Sequence, residues 1–188
     1  MTPSKLEELL DTYRMGKNTV SGIVKETANT IWESLVAQGF LQAPSTEKEW
    51  IKIADDFEKR WNFGNCVGAI SGKHKTHSIV LLAVVNSNYE YILVDIGDAG
   101  RQSDGGVFAS SHLGHAMEEN LLNIPKSRPL RITSKKFPFV FVGDEAFPLK
   151  EYLLKPYAKG FIQKKEQIAN YRLSRARRQE ENVFGICA

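Results

Sequence analysis

The stretch Phe-Pro-Phe-Val-Phe-Val-Gly-Asp-Glu-Ala-Phe-Pro-Leu, at residues 137–149, decides the expected fold. Its aromatic and β-branched residues predict a short buried strand, and the run ends abruptly at Gly143 and Asp144. In open α/β sheets, functional sites gather at the carboxyl ends of the strands. We therefore expect Asp144 to lie in the functional site, provided that other acidic side chains can reach it.

The overall composition is that of an ordinary globular protein, since 42% of the 188 residues are hydrophobic and 25% are charged. A net charge of +3 at pH 7 permits a nucleic-acid partner without arguing for one. The two cysteines, Cys66 and Cys187, belong to no Cys or His ligand spacing, so we expect reduced thiols and no structural zinc site. No apolar stretch reaches membrane-spanning length and no signal region opens the chain, so no membrane partner is expected.

The N-terminal third predicts three helices. Residues 3–13 and 18–35 form two of them around a turn that contains Gly16, with Asn18 or Thr19 capping the second. This αα-hairpin fits a helix-turn-helix that reads DNA, and it equally fits plain helix packing. The third helix opens with a capping box at Ser45 or Thr46 and ends near Trp61.

The remaining chain predicts an α/β domain. Three antiparallel strands come first, then a Gly-rich loop, a helix, a basic loop, the strand quoted above and a long terminal helix. The three strands are expected at residues 66–70, 77–85 and 89–94, the Gly-rich loop at 97–106 and the helix at 107–119. The basic loop is expected at 123–136, the quoted strand at 137–142 and the terminal helix at 161–184. This order is the outline of an RNase-H-like fold, a mixed sheet with flanking helices. We therefore expect an RNase-H-like domain at residues 62–188, preceded by a helical region at residues 1–61 that contains a linker helix and either a helix-turn-helix or a plain helical hairpin.

Three carboxylates are candidates for a metal centre. Metal-dependent cleavage of a phosphodiester needs two or three carboxylates around one or two magnesium ions. Asp104 in the Gly-rich loop, Asp144 at the strand end and Glu181 on the last helix can converge in this fold. Each also has a structural explanation: Asp144 as a turn residue, Asp104 as a helix N-cap, and Glu181 as an i,i+4 or i,i+3 ion-pair partner of a nearby arginine.

The last helix is strongly basic, with cations at Lys164, Lys165, Arg172, Arg175, Arg177 and Arg178. Such a stripe is either a solvated surface or a row of phosphate contacts beside the metal site. The i, i+3 pair His112 and His115 lacks a third ligand nearby, so we expect these two to be surface or capping residues.

Several long motifs closely resemble the PIF/Harbinger transposases, a group that includes domesticated Harbinger transposase-derived nucleases with a DDE-type endonuclease domain. In chain order these motifs occupy residues 62–70, 100–108, 142–149, 170–178 and 181–185. The resemblance covers the chain from about Tyr13 onward.

The resemblance implies an RNase-H-like fold, a divalent cation cofactor (Mg²⁺ or Mn²⁺), DNA as the substrate and a nuclear location, with the cytoplasm as a further location. It also implies a separate Myb-like partner protein for reading DNA. By match of motifs, Asp104, Asp144 and Glu181 fall on catalytic, metal-ligand positions of the family. We favour Asp144 over Asp104 as the second catalytic acid, because Asp144 ends a strand expected beside the first one.

Three departures from the family pattern predict an impaired enzyme. Ser71 stands where the family has its first metal-ligand Asp, and a serine hydroxyl is a poor magnesium ligand. A family segment after His74 is missing, which shortens the first strand and its hairpin. The chain also stops soon after Glu181, which predicts a C-terminally truncated domain. The alternatives are a catalytically inactive DNA- or protein-binding remnant of a domesticated transposase, and a chain that does not fold stably.

Overall fold

The computed structural model describes residues 12–39, 42–73, 79–99, 104–131, 133–158, 160 and 162–186. It divides into two compact units, Met1–Gln42 and Ala43–Ala188. The helix at residues 47–61 therefore belongs to the second unit. The expected functional boundary between residues 61 and 62 stays a prediction. No helix in the described ranges combines the length and apolar character that crossing a membrane requires.

The first unit contains helix α1, Lys17–Ala37. Its N-cap is Gly16, which has no side chain to accept a hydrogen bond, so the expected cap at Asn18 or Thr19 was wrong: both lie inside the first turn. Val20 of this helix is buried, whereas the apolar side chains of Ile31 and Trp32 are exposed. The predicted helix at residues 3–13 lies outside the described residues except for its last two, and DNA reading by this hairpin stays a prediction.

Helix α2, Glu47–Trp61, opens the second unit as its sequence predicts. Thr46 is the N-cap: its hydroxyl accepts from the Glu49 N–H, and the Glu49 carboxylate accepts from the Thr46 N–H at 2.9 Å. The Ser45 N–H, followed by the hydroxyl and the N–H of Thr46, donates to the Glu49 carboxylate and holds the pKa of Glu49 below its ordinary value. Asn62 ends the helix in the left-handed conformation.

A five-stranded mixed sheet forms the centre of the second unit, in the order β3-β2-β1-β6-β7. The strands are β1 Cys66–Lys73, β2 Ile79–Val85, β3 Tyr91–Ala99, β6 Val140–Val142 and β7 Leu153–Leu154. The pairs β1–β2 and β2–β3 are antiparallel, while β1–β6 and β6–β7 are parallel. A separate two-stranded sheet pairs β4 Ser127–Pro129 with β5 Lys136–Pro138.

Helices cover both faces of this sheet: α3 Asp104–Ser110, α4 His112–Glu118 and α5 Lys164–Ile186, together with α2. Strand β1 contributes to two hydrophobic clusters, one on each face of the sheet, and a register shift between Cys66 and Gly68 interrupts its regular alternation of faces. Val67 and Ile70 join the first core, which includes Phe108 of α3. Cys66 and Ala69 join the second core, which includes buried residues of α5. This architecture confirms the predicted RNase-H-like mixed sheet with flanking helices.

The quoted stretch is predicted to form one strand, and this prediction was wrong. Residues 136–138 pair with β4, whereas residues 140–142 pair with β1. Pro138 has no N–H to donate to a continuing ladder, so the chain changes sheets there. Phe139, between the two strands, is buried in the first core.

Other boundaries also differ. Strand β1 continues past Ser71 to Lys73, and β3 starts and ends later than predicted, so Asp95 lies inside a strand. The predicted helix 107–119 is two helices, because the Ser111 hydroxyl accepts from the Gly114 N–H at 2.8 Å and starts α4. The loop 123–136 contains β4. The predicted tight turn at residues 74–77 lies outside the described residues.

A polar cluster ties α2 and the small sheet to the start of β1. Arg128 Nε donates to Asn65 Oδ1 at 2.8 Å, and Arg128 Nη1 donates to Asp55 at 2.6 Å. The Asn65 amide donates to backbone carbonyls of β5 and β4, including Phe137 at 2.9 Å. Since Asn65 is buried, these bonds replace the water that it loses on folding.

Candidate metal centre

Ser71 and Asp144 follow a matched pair of residues on two neighbouring strands. Strands β1 and β6 are parallel in the register Ala69 opposite Val142, so Ser71 lies two residues further along β1 and Asp144 lies two residues beyond Val142, where β6 ends. Ala69 belongs to the second core, so strand alternation within β1 directs Ser71 to the face covered by α5. The expectation that Asp144 follows a strand beside the first one is confirmed.

A tight turn fixes the Asp144 side chain. Its Oδ1 accepts the Ala146 N–H at 2.8 Å, and its carbonyl accepts the Phe147 N–H at 3.3 Å. Oδ2 accepts no hydrogen bond from any described residue. Asp144 is thus a turn residue, as one interpretation proposed. The turn uses one carboxylate oxygen and leaves the second for a ligand.

Gly143 allows this turn to pack closely on the sheet. A Cβ there would lie 3.1 Å from the Phe147 ring and 3.2 Å from Ile70 Cγ2, tighter than most real contacts. The Gly143 N–H donates to the Leu154 carbonyl of β7 at 2.8 Å. The position of Asp144 is therefore held by packing below it and by the neighbouring strand.

Asp104 is the first residue of helix α3, and the prediction that it lies in a loop was wrong. The next residue, Gly105, touches the turn that follows Asp144, because a Cβ on it would lie 2.5 Å from the Ala146 carbonyl oxygen. The Phe108 and Phe147 rings meet edge to face at 5.7 Å. The start of α3 thus packs against the Asp144 turn, while the Asp104 side chain itself lies outside the described part of the structure.

Glu181 lies in the C-terminal part of α5. Leu173, Ala176 and Val183 anchor this helix in the second core, on the face to which strand alternation directs Ser71. The Glu181 side chain is not among those described. Among the described residues, no three His, Cys, Asp or Glu side chains form a metal-binding group, so the metal-ligand roles of Asp104, Asp144 and Glu181 stay predictions.

Sequence reasoning missed the role of Asp95. From within β3, its Oδ2 accepts the Leu113 N–H at 3.0 Å and so caps the first turn of α4. His112 is exposed, with Nδ1 3.9 Å from Asp95 Oδ1, and His115 is exposed as well. Both histidines are surface residues, as predicted. No local signal in the sequence marks this cap, because the strand residue and the helix that it caps are far apart in the chain.

A groove of about 740 Å³ in the second unit lies away from these residues, along the end of α4 and the segment before β7. In it, the Tyr152 hydroxyl donates to Glu118, and Lys150 Nζ donates to the same carboxylate at 3.0 Å. The bond from Tyr152 and then that from Lys150 hold the pKa of Glu118 below its ordinary value. Burial, followed by the nearby carboxylate, raises the pKa of Tyr152. None of the predicted site residues lines this groove.

Comparison with known proteins supplies the family. The model of the DDE superfamily endonucleases matches residues 67–187. The chain is also 28% identical over 166 residues to Protein ALP1-like of Arabidopsis thaliana, a match that covers 78% of this chain and 39% of that protein. No solved structure matches significantly. The chain therefore spans about two-fifths of the length of this relative, and it belongs to the DDE superfamily endonucleases, as a Harbinger-type, transposase-derived nuclease domain.

Proposed function

We propose that this chain is a divalent-metal-dependent DNA endonuclease domain derived from a transposase, and that it is impaired by Ser71. Asp144 and Glu181 hold Mg²⁺ or Mn²⁺, with Asp104 in support, and the reaction is two-metal hydrolysis of a phosphodiester bond. The observation that carries this proposal is the parallel pairing of β1 with β6, which brings the ends of two strands of the family site side by side.

The donor set suits a hard cation in all positions but one. Carboxylate oxygens are the ligands that Mg²⁺ prefers, and Asp144 offers Oδ2 while the Ala146 N–H orients the group through Oδ1. The bound cations supply an activated water and stabilise the leaving oxygen. Asp144 and Glu181 position the attacking water or 3′ hydroxyl in line with the phosphate.

Ser71 departs from this donor set. It pairs with Ala83 of β2, and by the motif resemblance it stands, with a neutral hydroxyl, where the family has its first metal ligand. Metal-dependent phosphodiester chemistry rests on metal positioning, so losing a carboxylate here lowers the rate steeply. The missing segment after His74 adds to the impairment.

A second candidate function is that of a catalytically inactive DNA- or protein-binding remnant. The neutral side chain at Ser71 favours it, as do exposed cations on α5 such as Lys164, Arg172 and Arg178. The partner is DNA for the endonuclease domain and for a DNA-binding remnant, and another protein for a protein-binding remnant. A Myb-like protein serves as the DNA-reading partner, and the nucleus is the main location, with the cytoplasm in addition.

The test is nicking of supercoiled plasmid in Mn²⁺ by the natural chain, by Ser71→Asp and by the double variant Ser71→Asp/Asp144→Asn. The proposal expects a trace of nicking or none from the natural chain, clear nicking from Ser71→Asp, and loss of activity in the double variant. Strong nicking by the natural chain would refute impairment at Ser71. If all three proteins fold but none nicks, the inactive-remnant function takes the lead.

A further inference from the structure

One face of α5 carries a row of basic, aromatic and aliphatic side chains, all exposed except the half-buried Arg175. The spacing is four, three, four and three residues, which keeps a row on one side of a helix. The row consists of Lys164, Ile168, Tyr171, Arg175 and Arg178. The opposite side is buried through Leu173 and Ala176 in the second core. The row therefore faces away from the sheet.

Tyr171 is the centre of this row, and 64% of its surface is exposed. The Arg175 guanidinium carbon lies 6.0 Å from the centroid of the Tyr171 ring. No ring packs on Tyr171 among the described residues, so one face of it is open to a planar ligand. A large aromatic surface kept in water beside cations is a feature of surfaces that stack nucleic-acid bases.

A second exposed tyrosine is pinned next to the first. The Tyr157 N–H donates to Asn170 Oδ1 at 2.8 Å, and Asn170 Nδ2 donates to the Tyr157 carbonyl at 3.1 Å. Asn170 directly precedes Tyr171, so this two-bond clamp holds the Tyr157 backbone against the same turn of α5. Tyr157 is 54% exposed. Two rings are thus presented to solvent from adjoining backbone segments.

The clamped segment is continuous with the Asp144 turn. Lys155 Nζ donates to the Glu145 carbonyl at 3.3 Å, and the Leu154 carbonyl accepts from Gly143 at 2.8 Å. Residues 154–157 therefore bridge from the residues that flank Asp144 to the two tyrosines. A nucleic-acid strand with a phosphate at Asp144 has this surface directly beside it.

We propose that Tyr157 and Tyr171, with Arg175, form a stacking platform for the unpaired bases of a single-stranded DNA segment that adjoins the Asp144 centre. The inference rests on the proposed function, in that DNA is the substrate. Bases in a duplex are already stacked on one another, so exposed rings gain a partner only where the strand is unpaired. Lys164, Arg175 and Arg178 supply phosphate contacts along the same row.

The experiment is fluorescence anisotropy with a fluorescein-labelled 12-nucleotide oligothymidylate and a blunt duplex of equal length, both in EDTA. The natural full-length chain binds the single strand more tightly than the duplex. Replacing both rings, Tyr157→Leu/Tyr171→Leu, weakens single-strand binding roughly tenfold or more and leaves duplex binding nearly unchanged. The matched control Tyr157→Phe/Tyr171→Phe retains both rings and binds as the natural chain does.

Equal binding of single strand and duplex by the natural chain would overturn the platform, as would an unchanged affinity in the double Leu variant. If that variant fails to fold, Arg175→Gln is compared with the double Phe variant instead. Losing the cation beside Tyr171 should weaken single-strand binding severalfold, whereas the double Phe variant should bind as the natural chain does. The assay contains no metal, so it is independent of nicking. If the chain prefers single-stranded DNA but no variant nicks, only the proposed endonuclease function is refuted. If nicking is observed without a preference for single strands, only the stacking platform is refuted.

Discussion

Replacing Ser71 with Asp is expected to destabilise the metal-free protein and to make it responsive to Mn²⁺. Neighbouring strands lie about 4.8 Å apart, so a carboxylate at position 71 comes within roughly 5 Å of Asp144. Two unit charges at that distance repel by about 1 kcal/mol in water and by about 3 kcal/mol at an effective dielectric constant of 20. Both positions are partly exposed, so we expect a loss of about 1–2 kcal/mol in unfolding free energy.

The sign of the pH dependence follows from the same repulsion. It raises the folded-state pKa of the introduced carboxyl above its unfolded value near 3.9. Because the folded-state pKa is raised, the variant loses no stability at pH values below the unfolded-state pKa. The loss in unfolding free energy grows as pH rises from there through the raised folded-state pKa. The variant should match the natural chain at about pH 3.5 and fall below it at pH 7.5. Mn²⁺ binds only the folded arrangement and should reverse the loss.

Urea denaturation followed by circular dichroism measures this effect, at both pH values and with either EDTA or Mn²⁺. Ser71→Asn is the matched control, since it has the same shape without the charge. Equal stability of the Asp and Asn variants in EDTA at pH 7.5, with no gain from Mn²⁺, would refute the reasoning. Positions 71 and 144 would then not converge.

Three further predictions concern the frame of the site. Arg128→Met should lower the unfolding free energy by about 2–4 kcal/mol in urea denaturation, because it removes partly buried hydrogen bonds, one of them to the buried Asn65. Arg131→Met, whose side chain is 70% exposed, should cost under about 1 kcal/mol, and equal losses would contradict the cluster. Burial raises the pKa of the Cys66 thiol to about 12, so in a Cys187→Ser variant Ellman's reagent at pH 8 should label the protein only after unfolding. Fast labelling of the folded protein would show that the second core is open to solvent. Gly105→Ala pushes a methyl group into a backbone carbonyl, so it should lower the unfolding free energy by about 1–3 kcal/mol in thermal unfolding and weaken nicking by the Ser71→Asp variant. An unchanged melting temperature would show that α3 does not pack on the Asp144 turn.

The sequence predicted the order of the elements and the end of strand β6 because the local signals there are strong. The capping box of Thr46 and Glu49 is a short-range pattern with its own hydrogen bonds, and it starts a helix where expected. The parallel pairing of β1 and β6 followed from the fold outline. The abrupt Gly143-Asp144 ending marked the edge of the sheet correctly, because that turn contains its own hydrogen bonds.

Boundaries set by tertiary contacts were not predictable in this way. Residues 91–99 extend as one strand because β2 pairs along them, while the local pattern ended at Asp95. That carboxylate caps a helix that starts 17 residues later. The role of Asn65 likewise depends on carbonyls of strands far along the chain, and its pattern is only that of a turn residue. Such contacts are invisible to a local pattern, because both partners must be placed first.

The central claim is that the ends of β1 and β6 form a metal site from which Ser71 removes one ligand. Anomalous diffraction at the manganese edge, from crystals of the Ser71→Asp variant grown in Mn²⁺, tests it most directly. The account predicts an anomalous peak at about 2.0–2.3 Å from Asp144 Oδ2 and from an oxygen of the introduced carboxylate. A fully ordered pair of carboxylates with no peak between them, at saturating Mn²⁺, would contradict it.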